Sequence, residues 1–271
     1  MYLWRKHATD DWLLEQSDAL MARCGPALVL VERPGKRTVV EVSCETRGET
    51  ADLKREFGGT TEKLRADWLQ HFARQSRTKP LRIGSRLQVG PTSGPNTIVI
   101  PAETAFGTGE HATTAMCLRM LERITRKRPP GWSMLDAGTG SGILAMVGSH
   151  FGAKRVVAID NDPVACSIAE RNGRANRAGN IEFRTGDVLE SRFAGKFDII
   201  TANLFSEILI AAMPVWVRHL APNGSLILSG VLRSQERALV TALGRNGWRG
   251  REIKRRGKWI AVLAVRARKR S

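Results

Sequence analysis

The fold of this chain is decided by the stretch Met134-Leu-Asp-Ala-Gly-Thr-Gly-Ser-Gly142. Its first residues end a β-rich run and its last residues open a helical pattern, so the glycines occupy a strand-to-helix turn. Glycine permits the backbone conformations of a tight turn and lets a ligand approach the main chain closely. The stretch therefore predicts a ligand-binding turn after the first strand of a sheet.

Strand and helix patterns alternate around this turn. Apolar residues at helical spacing predict a helix over 110–126, ahead of the first strand. Buried strands are predicted at 133–136, 155–160, 181–185, 197–202 and 225–229. A helical or loop stretch follows each of the first four, which predicts an α/β fold with a doubly wound, mostly parallel sheet. Two final runs, 248–254 and 259–265, predict an antiparallel hairpin at the sheet edge.

Residues 1–65 predict a separate, small α+β domain. Helices are expected over 10–24 and 50–57, around two β-rich runs at 27–31 and 38–42. Pro34-Gly35 between those runs predicts a hairpin. The order of these elements fits a ferredoxin-like layer of helices on a sheet.

A connector separates the two domains. Residues 66–80 predict a helical linker that ends before Pro80, because the residue before a proline disfavours the helical conformation. Two further runs, 81–89 and 96–100, predict a hairpin that leads into the larger domain. We place that domain at 81–271.

The composition is that of a cytoplasmic globular protein. A hydrophobic fraction of 42% over 271 residues supports a full core in one large domain plus a small one. No apolar run approaches the roughly 18 residues that span a bilayer, and the first residues lack the apolar block of a secretory signal. We therefore expect a cytoplasmic monomer without a membrane partner. The four cysteines show no paired metal-ligand spacing, which predicts free thiols and no metal site.

The positive charge is confined to one part of the chain. Residues 1–75 carry 12 Lys/Arg and 12 Asp/Glu, whereas residues 76–271 carry 31 and 14, which accounts for the whole net charge of +17. A basic module of this kind is attracted to nucleic acid or to a ribonucleoprotein surface. A solvated basic surface would give the same counts, so proximity to rRNA is one of two open interpretations.

Charge also separates the ligands that a glycine turn can hold, which are dinucleotides and S-adenosylmethionine. A dinucleotide sets its pyrophosphate at the helix N-terminus, where Asp136 directly before the turn would repel it. S-adenosylmethionine has no phosphate and carries an ammonium and a sulfonium, beside which Asp136 is favourable. The spacing Gly138-x-Gly140-x-Gly142 also differs from the dinucleotide pattern. These features favour S-adenosylmethionine.

Two further acids follow the next strands. Asp160 ends the second strand, where a carboxylate can accept hydrogen bonds from both ribose hydroxyls; its alternative role is that of an acid at the start of the following helix. Asp162 is the expected cap of that helix, ahead of Pro163. Asp187 follows the third strand, where it would meet the adenine amino group or serve as an ordinary turn acid.

Asn203 ends the fourth strand, in Thr201-Ala-Asn-Leu-Phe205. The carboxyl end of a central strand faces the crevice where open sheets bind ligands. An amide oxygen there can accept a hydrogen bond from an amine and orient its nitrogen. Asn203 is therefore the candidate catalytic residue, with capping of the helix that begins at Ser206 as the alternative.

An upstream segment, Ala105-Phe-Gly-Thr-Gly-Glu-His-Ala-Thr-Thr114, makes these motifs more specific. Together they resemble the ribosomal protein L11 methyltransferase family (PrmA), which has a Phe-Gly-Thr-Gly-x-His-x-Thr-Thr segment ahead of the glycine turn. The resemblance covers most of residues 60–271. It implies a class I methyltransferase fold with S-adenosylmethionine as cofactor.

The resemblance also implies roles for individual residues. The family's cofactor contacts fall on Thr114, Gly138, Asp160 and Asn203, and Phe106 would lie over the pocket mouth. Gly140 and Asp136 belong to the same turn. The implied reaction is methyl transfer to lysine and N-terminal amines of a large-subunit ribosomal protein, which the small N-terminal domain would recognise.

Two other functions stay open at this point. The basic larger domain suits an RNA-directed methyltransferase, although the Asn-Pro-Pro-Tyr sequence typical of base methylation is missing, since Leu204 and Phe205 follow Asn203. The same charge suits a noncatalytic RNA-binding module, against which the intact cofactor motifs argue. For a lysine acceptor, we expect Asn203 to hold the neutral amine while water takes the proton.

Overall fold

The computed structural model describes residues 1–24, 27–31, 37–64, 80–101 and 111–267. The chain divides into two compact units, Met1–Arg77 and Thr78–Ser271. The predicted linker at 66–80 lies outside the described residues except for Pro80. Among the described residues, no helix is both long enough and apolar enough to cross a lipid bilayer.

The smaller unit is a four-stranded antiparallel sheet with two helices. Its elements are β1 (Tyr2–Ala8), α1 (Asp10–Cys24), β2 (Leu28–Val31), β3 (Thr38–Cys44), α2 (Arg47–Phe57) and β4 (Thr60–Lys63). The strand order β2-β3-β1-β4 with this succession of elements is the ferredoxin-like arrangement that was predicted. Strands β2 and β3 pair as a hairpin, while Pro34-Gly35 lies outside the described residues.

Trp4 organises the core of this unit. Its side chain is fully buried among Leu20, Val40 and Phe57, and its indole nitrogen donates a hydrogen bond of 2.7 Å to the carbonyl of Gly58. The helix predicted at 50–57 begins earlier, at Arg47. The reason is a cap that sequence reading passed over: the hydroxyl of Thr46 accepts a hydrogen bond of 3.2 Å from the backbone N–H of Glu49.

The larger unit is built on a seven-stranded sheet. The elements from its first helix onward are α3 (Ala112–Thr125), β8 (Trp132–Ala137), α4 (Ile143–His150), β9 (Ala153–Asp160), α5 (Pro163–Ala175), β10 (Ile181–Thr185), β11 (Phe197–Asn203), α6 (Ser206–His219), β12 (Leu220–Leu232), a 3₁₀ turn (Arg233–Gln235), α7 (Glu236–Arg245), β13 (Trp248–Arg256) and β14 (Trp259–Arg266). The strands lie in the order β10-β9-β8-β11-β12-β14-β13.

Strands β8 to β12 are parallel, and β14 and β13 close the sheet as an antiparallel hairpin with β13 at the edge. Each predicted strand is present, and the α/β fold with a doubly wound, mostly parallel sheet is confirmed. Helices α6 and α7 pack on one face through residues such as Trp216 and Leu239, which join the main core cluster. Helices α4 and α5 cover the other face, where Met134 lies under Gly148 and Phe183 under Gly173.

A small sheet of β5 (Leu81–Ile83), β6 (Leu87–Gly90) and β7 (Thr97–Val99) precedes α3. The predicted hairpin between 81–89 and 96–100 is wrong. The hairpin lies inside 81–89, because the chain reverses at Gly84, whose φ is +58°, and β7 then pairs parallel to β6. Asn176 joins this sheet to the end of α5: its side chain accepts from the N–H of Val99 and donates to the carbonyl of the same residue, at 2.7 and 2.8 Å.

Gly230 allows the sheet to bend beside Asn203. It is the extra residue of a β-bulge between β12 and β14, with φ +87°, and a Cβ atom on it would stand 2.3 Å from the backbone oxygen of Leu204. The neighbouring Ser229 carbonyl accepts the N–H of Leu204 at 3.0 Å. No side chain fits between the two segments, so only glycine is accommodated at this position.

We therefore expect Gly230→Ala to destabilise the larger unit by at least about 2 kcal/mol, from a strained positive φ and a clash with backbone. Gly244→Ala is the matched control, because Gly244 lies in α7 with open space around it and without a positive φ. That control should stabilise by up to about 1 kcal/mol. Urea unfolding followed by far-UV circular dichroism measures both, and equal midpoints for the two variants would contradict this account.

Candidate active site

The candidate site lies at the point where the sheet reverses its strand order. From β8 the chain moves outward through β9 to β10, then returns to β11 on the other side of β8. Helices therefore leave the carboxyl ends of β8 and β11 in opposite directions and open a crevice between them, which is where open α/β sheets bind ligands. The turn after β8, Asp160 at the end of β9 and Asn203 at the end of β11 all lie along this edge.

The glycine turn is held by the end of strand β9. The N–H groups of Gly138 and Thr139 donate to the carbonyl of Ile159 at 2.8 and 3.0 Å, and the N–H of Gly140 donates to Oδ2 of Asp160 at 2.8 Å. A Cβ atom on Gly140 would meet no heavy atom within 4 Å. The turn is thus fixed by hydrogen bonds to the end of β9, while the space beside Gly140 is open. A ligand can therefore lie against the backbone of Gly140.

Asp160 faces this space with a half-buried carboxylate. Besides the bond to Gly140, its Oδ1 accepts the N–H of Asp162 at 3.2 Å. The cap of α5 is Asp162 itself, whose side chain accepts from Val164 at 2.8 Å, with Pro163 in the first turn, as predicted. The helix thus has its own cap, and each Asp160 oxygen retains lone pairs for further donors.

Asp136 lies beneath the turn and is fully buried. Its two oxygens accept hydrogen bonds from the hydroxyls of Thr139, at 2.8 Å, and Thr201, at 2.6 Å. Burial raises the pKa of this carboxyl to about 6; the two threonine hydroxyls oppose the rise, and the nearby charge of Asp160 adds to it. Asp136 therefore presents no exposed oxygen to the crevice.

Asn203 is joined to Thr114 across 89 residues of sequence. Its Nδ2 donates to Oγ1 of Thr114 at 3.2 Å; Thr114 is buried in the first turn of α3, and Asn203 is half-buried. The alternative role of Asn203 as a helix cap is wrong. The residue at the start of α6 is Phe205, and no side chain caps that helix.

Two predicted contacts stand apart from this group. Asp187 is exposed, and its Oδ1 accepts the N–H of Leu189 at 2.8 Å while its carbonyl accepts from the N–H of Ser191 at 3.0 Å. This is the hydrogen bonding of a turn acid, and it uses only one of the two carboxylate oxygens, so it leaves the predicted adenine contact open. Phe106 lies outside the described residues.

Sequence reading missed three residues that shape the site. Thr139 and Thr201 hold Asp136, and Thr201 lies opposite Asp136 in the register of β11 with β8, which the sequence does not show. Leu204 was noted only as a substitute for proline. Its side chain in fact occupies the space above Gly138, where a Cβ atom would stand 2.3 Å from Cδ2 of Leu204.

Known proteins with similar sequences and structures agree on one family. The family model described as ribosomal protein L11 methyltransferase (PrmA) matches residues 33–267. Relatives named ribosomal protein L11 methyltransferase include those of Pelotomaculum thermopropionicum, 39% identical over 69% of this chain, and Syntrophotalea carbinolica, 38% identical over 74%. The aligned regions span 62% and 65% of the length of these two relatives.

A solved structure that carries the same family name is also similar. The crystal structure of a ribosomal protein L11 methylase from Lactobacillus delbrueckii subsp. bulgaricus is 29% identical with a TM-score of 0.64, and it matches over 70% of this chain and 100% of its own. A precorrin-6y C5,15-methyltransferase from Geobacter metallireducens, at 15% identity and a TM-score of 0.50, matches over 61% of this chain and 95% of its own and shares the fold alone. With the family model matching most of its length, the chain belongs to the ribosomal protein L11 methyltransferase (PrmA) family.

Proposed function

We propose that this chain is an S-adenosylmethionine-dependent N-methyltransferase that methylates lysine and N-terminal amines of a large-subunit ribosomal protein, of the L11 type named for its relatives. Family membership supports the reaction class. The observation that carries the proposal is the hydrogen bond between Asn203 and Thr114, because it sets an oriented amide at the crevice beside the glycine turn.

The residues present fit such a cofactor. Asp160 would accept the ribose hydroxyls, and the open backbone at Gly140 would lie against the methionyl part. The buried charge of Asp136 has no cationic partner among the described residues, so an ammonium or sulfonium placed in the crevice would supply one. Thr114 and Phe106 complete the proposed set, and Asp187 would lie near the adenine. When bound, the cofactor supplies a methyl group on a positively charged sulfur.

The protein's part in the reaction is to present a neutral amine in line with that methyl group. A lysine ammonium has no lone pair, and its unperturbed pKa is about 10.4. Methyl transfer therefore requires that the pKa of the bound lysine be lowered, which its removal from water does. Because Nδ2 of Asn203 donates to Thr114, Oδ1 is the atom left to accept from the amine. No described residue donates to that oxygen. We assign orientation of the amine to Asn203, with water taking the proton.

The small N-terminal domain is the proposed substrate-recognition module. Its charges balance, whereas the larger unit is strongly basic, so the two present different surfaces to a partner. A cytoplasmic location would follow from a ribosomal protein substrate.

The acceptor is tested by incubating tritiated S-adenosylmethionine and the enzyme with free ribosomal proteins, intact ribosomes and bare rRNA. We expect label on a large-subunit protein. Asn203→Ala should reduce kcat about 10²-fold, the order of loss when a reacting group is misplaced, with cofactor affinity retained within a few-fold.

Label on RNA alone would replace this proposal by an RNA-directed methyltransferase. Full turnover of Asn203→Ala with unchanged cofactor affinity would remove the assigned role of Asn203, even if the protein substrate were correct.

The ribose role of Asp160 is tested by Asp160→Asn, with Asp162→Asn as the matched control. Asparagine keeps only one acceptor oxygen at 160, so the dissociation constant of the cofactor should rise at least about tenfold, equal to roughly 1.4 kcal/mol. At 162, asparagine caps a helix as well as aspartate does, so binding should be unchanged. Isothermal calorimetry measures both. Equal effects of the two substitutions would show that Asp160 acts only through local structure.

The raised pKa of Asp136, about 6, predicts two opposite pH dependences. Without cofactor, the stability gained from the protonated carboxyl is complete below about pH 3.8 and is lost as the pH rises through about 6. A cationic ligand prefers the ionised form, so cofactor affinity should increase about tenfold from pH 5 to pH 7. Calorimetric titrations across this range check the slope, and Asp136→Asn should flatten it. A flat profile in the wild-type protein would contradict a charge-based role for Asp136.

A further inference from the structure

Strand β13 and helix α3 form a basic surface at one edge of the larger unit. Its six members, which we call the basic edge, are all exposed: Arg119, Arg123, Arg249, Arg251, Lys254 and Arg256. Helix α3 is anchored to the strand by an ion pair between Arg123 and Glu252. Since residues four apart lie on one side of a helix, Arg119 continues the surface by one turn.

The strand register gathers these charges on one face. Arg249, Glu252, Lys254 and Arg256 pair with alternate residues of β14, Val265, Leu263, Ala261 and Trp259. Alternate residues share a face, and the ion pair of Glu252 with Arg123 identifies it as the face that α3 covers. Arg251 is the extra residue of a β-bulge between Gly250 and Glu252. The bulge is what brings Arg249 onto the same face as Lys254 and Arg256.

The basic edge is poorly neutralised. Glu252 is its only acid in β13, is 19% exposed, and is shared between Arg123 and Lys254. Within the ranges that the structure describes, Arg119, Arg249, Arg251 and Arg256 form no ion pair. On the opposite face the pattern differs, because Arg255 is paired with Glu236 of α7 at 2.8 Å. One face of the strand is therefore balanced, whereas the α3 side retains the unpaired guanidinium groups of Arg249 and Arg256, with Arg251 exposed in the bulge.

We propose that the basic edge binds the phosphate backbone of RNA. From Arg249 to Arg256 the strand runs alongside six residue steps of β14, or roughly 20 Å, so the cations follow a line along which several phosphates can be contacted at once. The described large hydrophobic side chains that are exposed all lie outside β13 and α3, which leaves this surface without the apolar anchor that a protein partner needs. One or two charges would be enough to prevent this edge strand from pairing with another sheet, so that role does not explain six cations.

The basic edge also points towards the candidate site. Arg256 pairs with Trp259, whose ring lies 5.1 Å from the ring of His111. His111 precedes α3, and Thr114 lies in the first turn of that helix. RNA bound along the edge would therefore lie beside the crevice, and the methyl acceptor would be met next to RNA. This inference concerns a partner other than the methyl acceptor and stands independently of the proposed reaction.

The test uses the full-length protein and a fluorescein-labelled RNA hairpin of about 20 base pairs, with anisotropy measured at several salt concentrations. The variant Arg249→Gln/Arg251→Gln/Arg256→Gln should weaken binding at least tenfold and reduce the slope of log K against log salt by about 2–3, near 0.9 for each lost phosphate contact. Methyl transfer to free ribosomal protein should be unchanged, since none of the three residues belongs to the crevice.

The matched control is Lys154→Gln/Arg171→Gln/Arg192→Gln, which removes three exposed positive charges from the part of the larger unit that carries β9 and β10. It should bind RNA within about twofold of the wild-type protein. Equal weakening of RNA binding by both triple variants would show that binding depends only on net charge, and it would overturn the proposal. Competition by polyglutamate as effective as that by unlabelled hairpin would do the same, in favour of an acidic protein partner.

Discussion

The site depends on one buried carboxylate. Asp136 lies one residue before the end of strand β8 and is shielded from water, yet it accepts hydrogen bonds from two threonine hydroxyls, one from the glycine turn and one from β11. The glycine turn and β11, which diverge at the crevice, are thus both hydrogen-bonded to the carboxylate of Asp136. Burial of an unpaired charge lowers the stability of the folded protein. A positively charged ligand in the crevice would offset this loss.

Sheet topology turns distant sequence positions into neighbours. Thr114 and Asn203 meet because α3 packs against β11, and Asp160 reaches Gly140 because β9 is the neighbour of β8. Leu204 then fills the space over Gly138, so the strand that carries Asn203 also holds the turn in place. The glycine turn and the amide of Asn203 are consequently parts of one packed unit.

Much of this architecture could be predicted from sequence, for physical reasons. Strand β10 was placed at its observed bounds because Ile181 and Phe183 alternate with polar residues, as in a strand with one covered face, and α1 was placed at its bounds through its helical spacing. The wrong prediction, the hairpin between 81–89 and 96–100, concerns a region where turn and strand signals lie close together. The 81–100 region holds a short turn at Gly84, and three-residue strands carry little periodicity. The burial of Asp136 and its threonine partners depends on strand register, which a single strand does not reveal.

The bulge at Arg251 also determines where strand β13 can change its length. A strand alternates its side chains between two faces, so losing one residue at most positions would exchange the faces and turn charged groups into the core. Arg251 is the one residue in β13 that has no partner in the ladder with β14. Its loss would leave the remaining pairs in register. Strand β13 thus has one position, Arg251, at which the loss of a single residue preserves its pairing with β14.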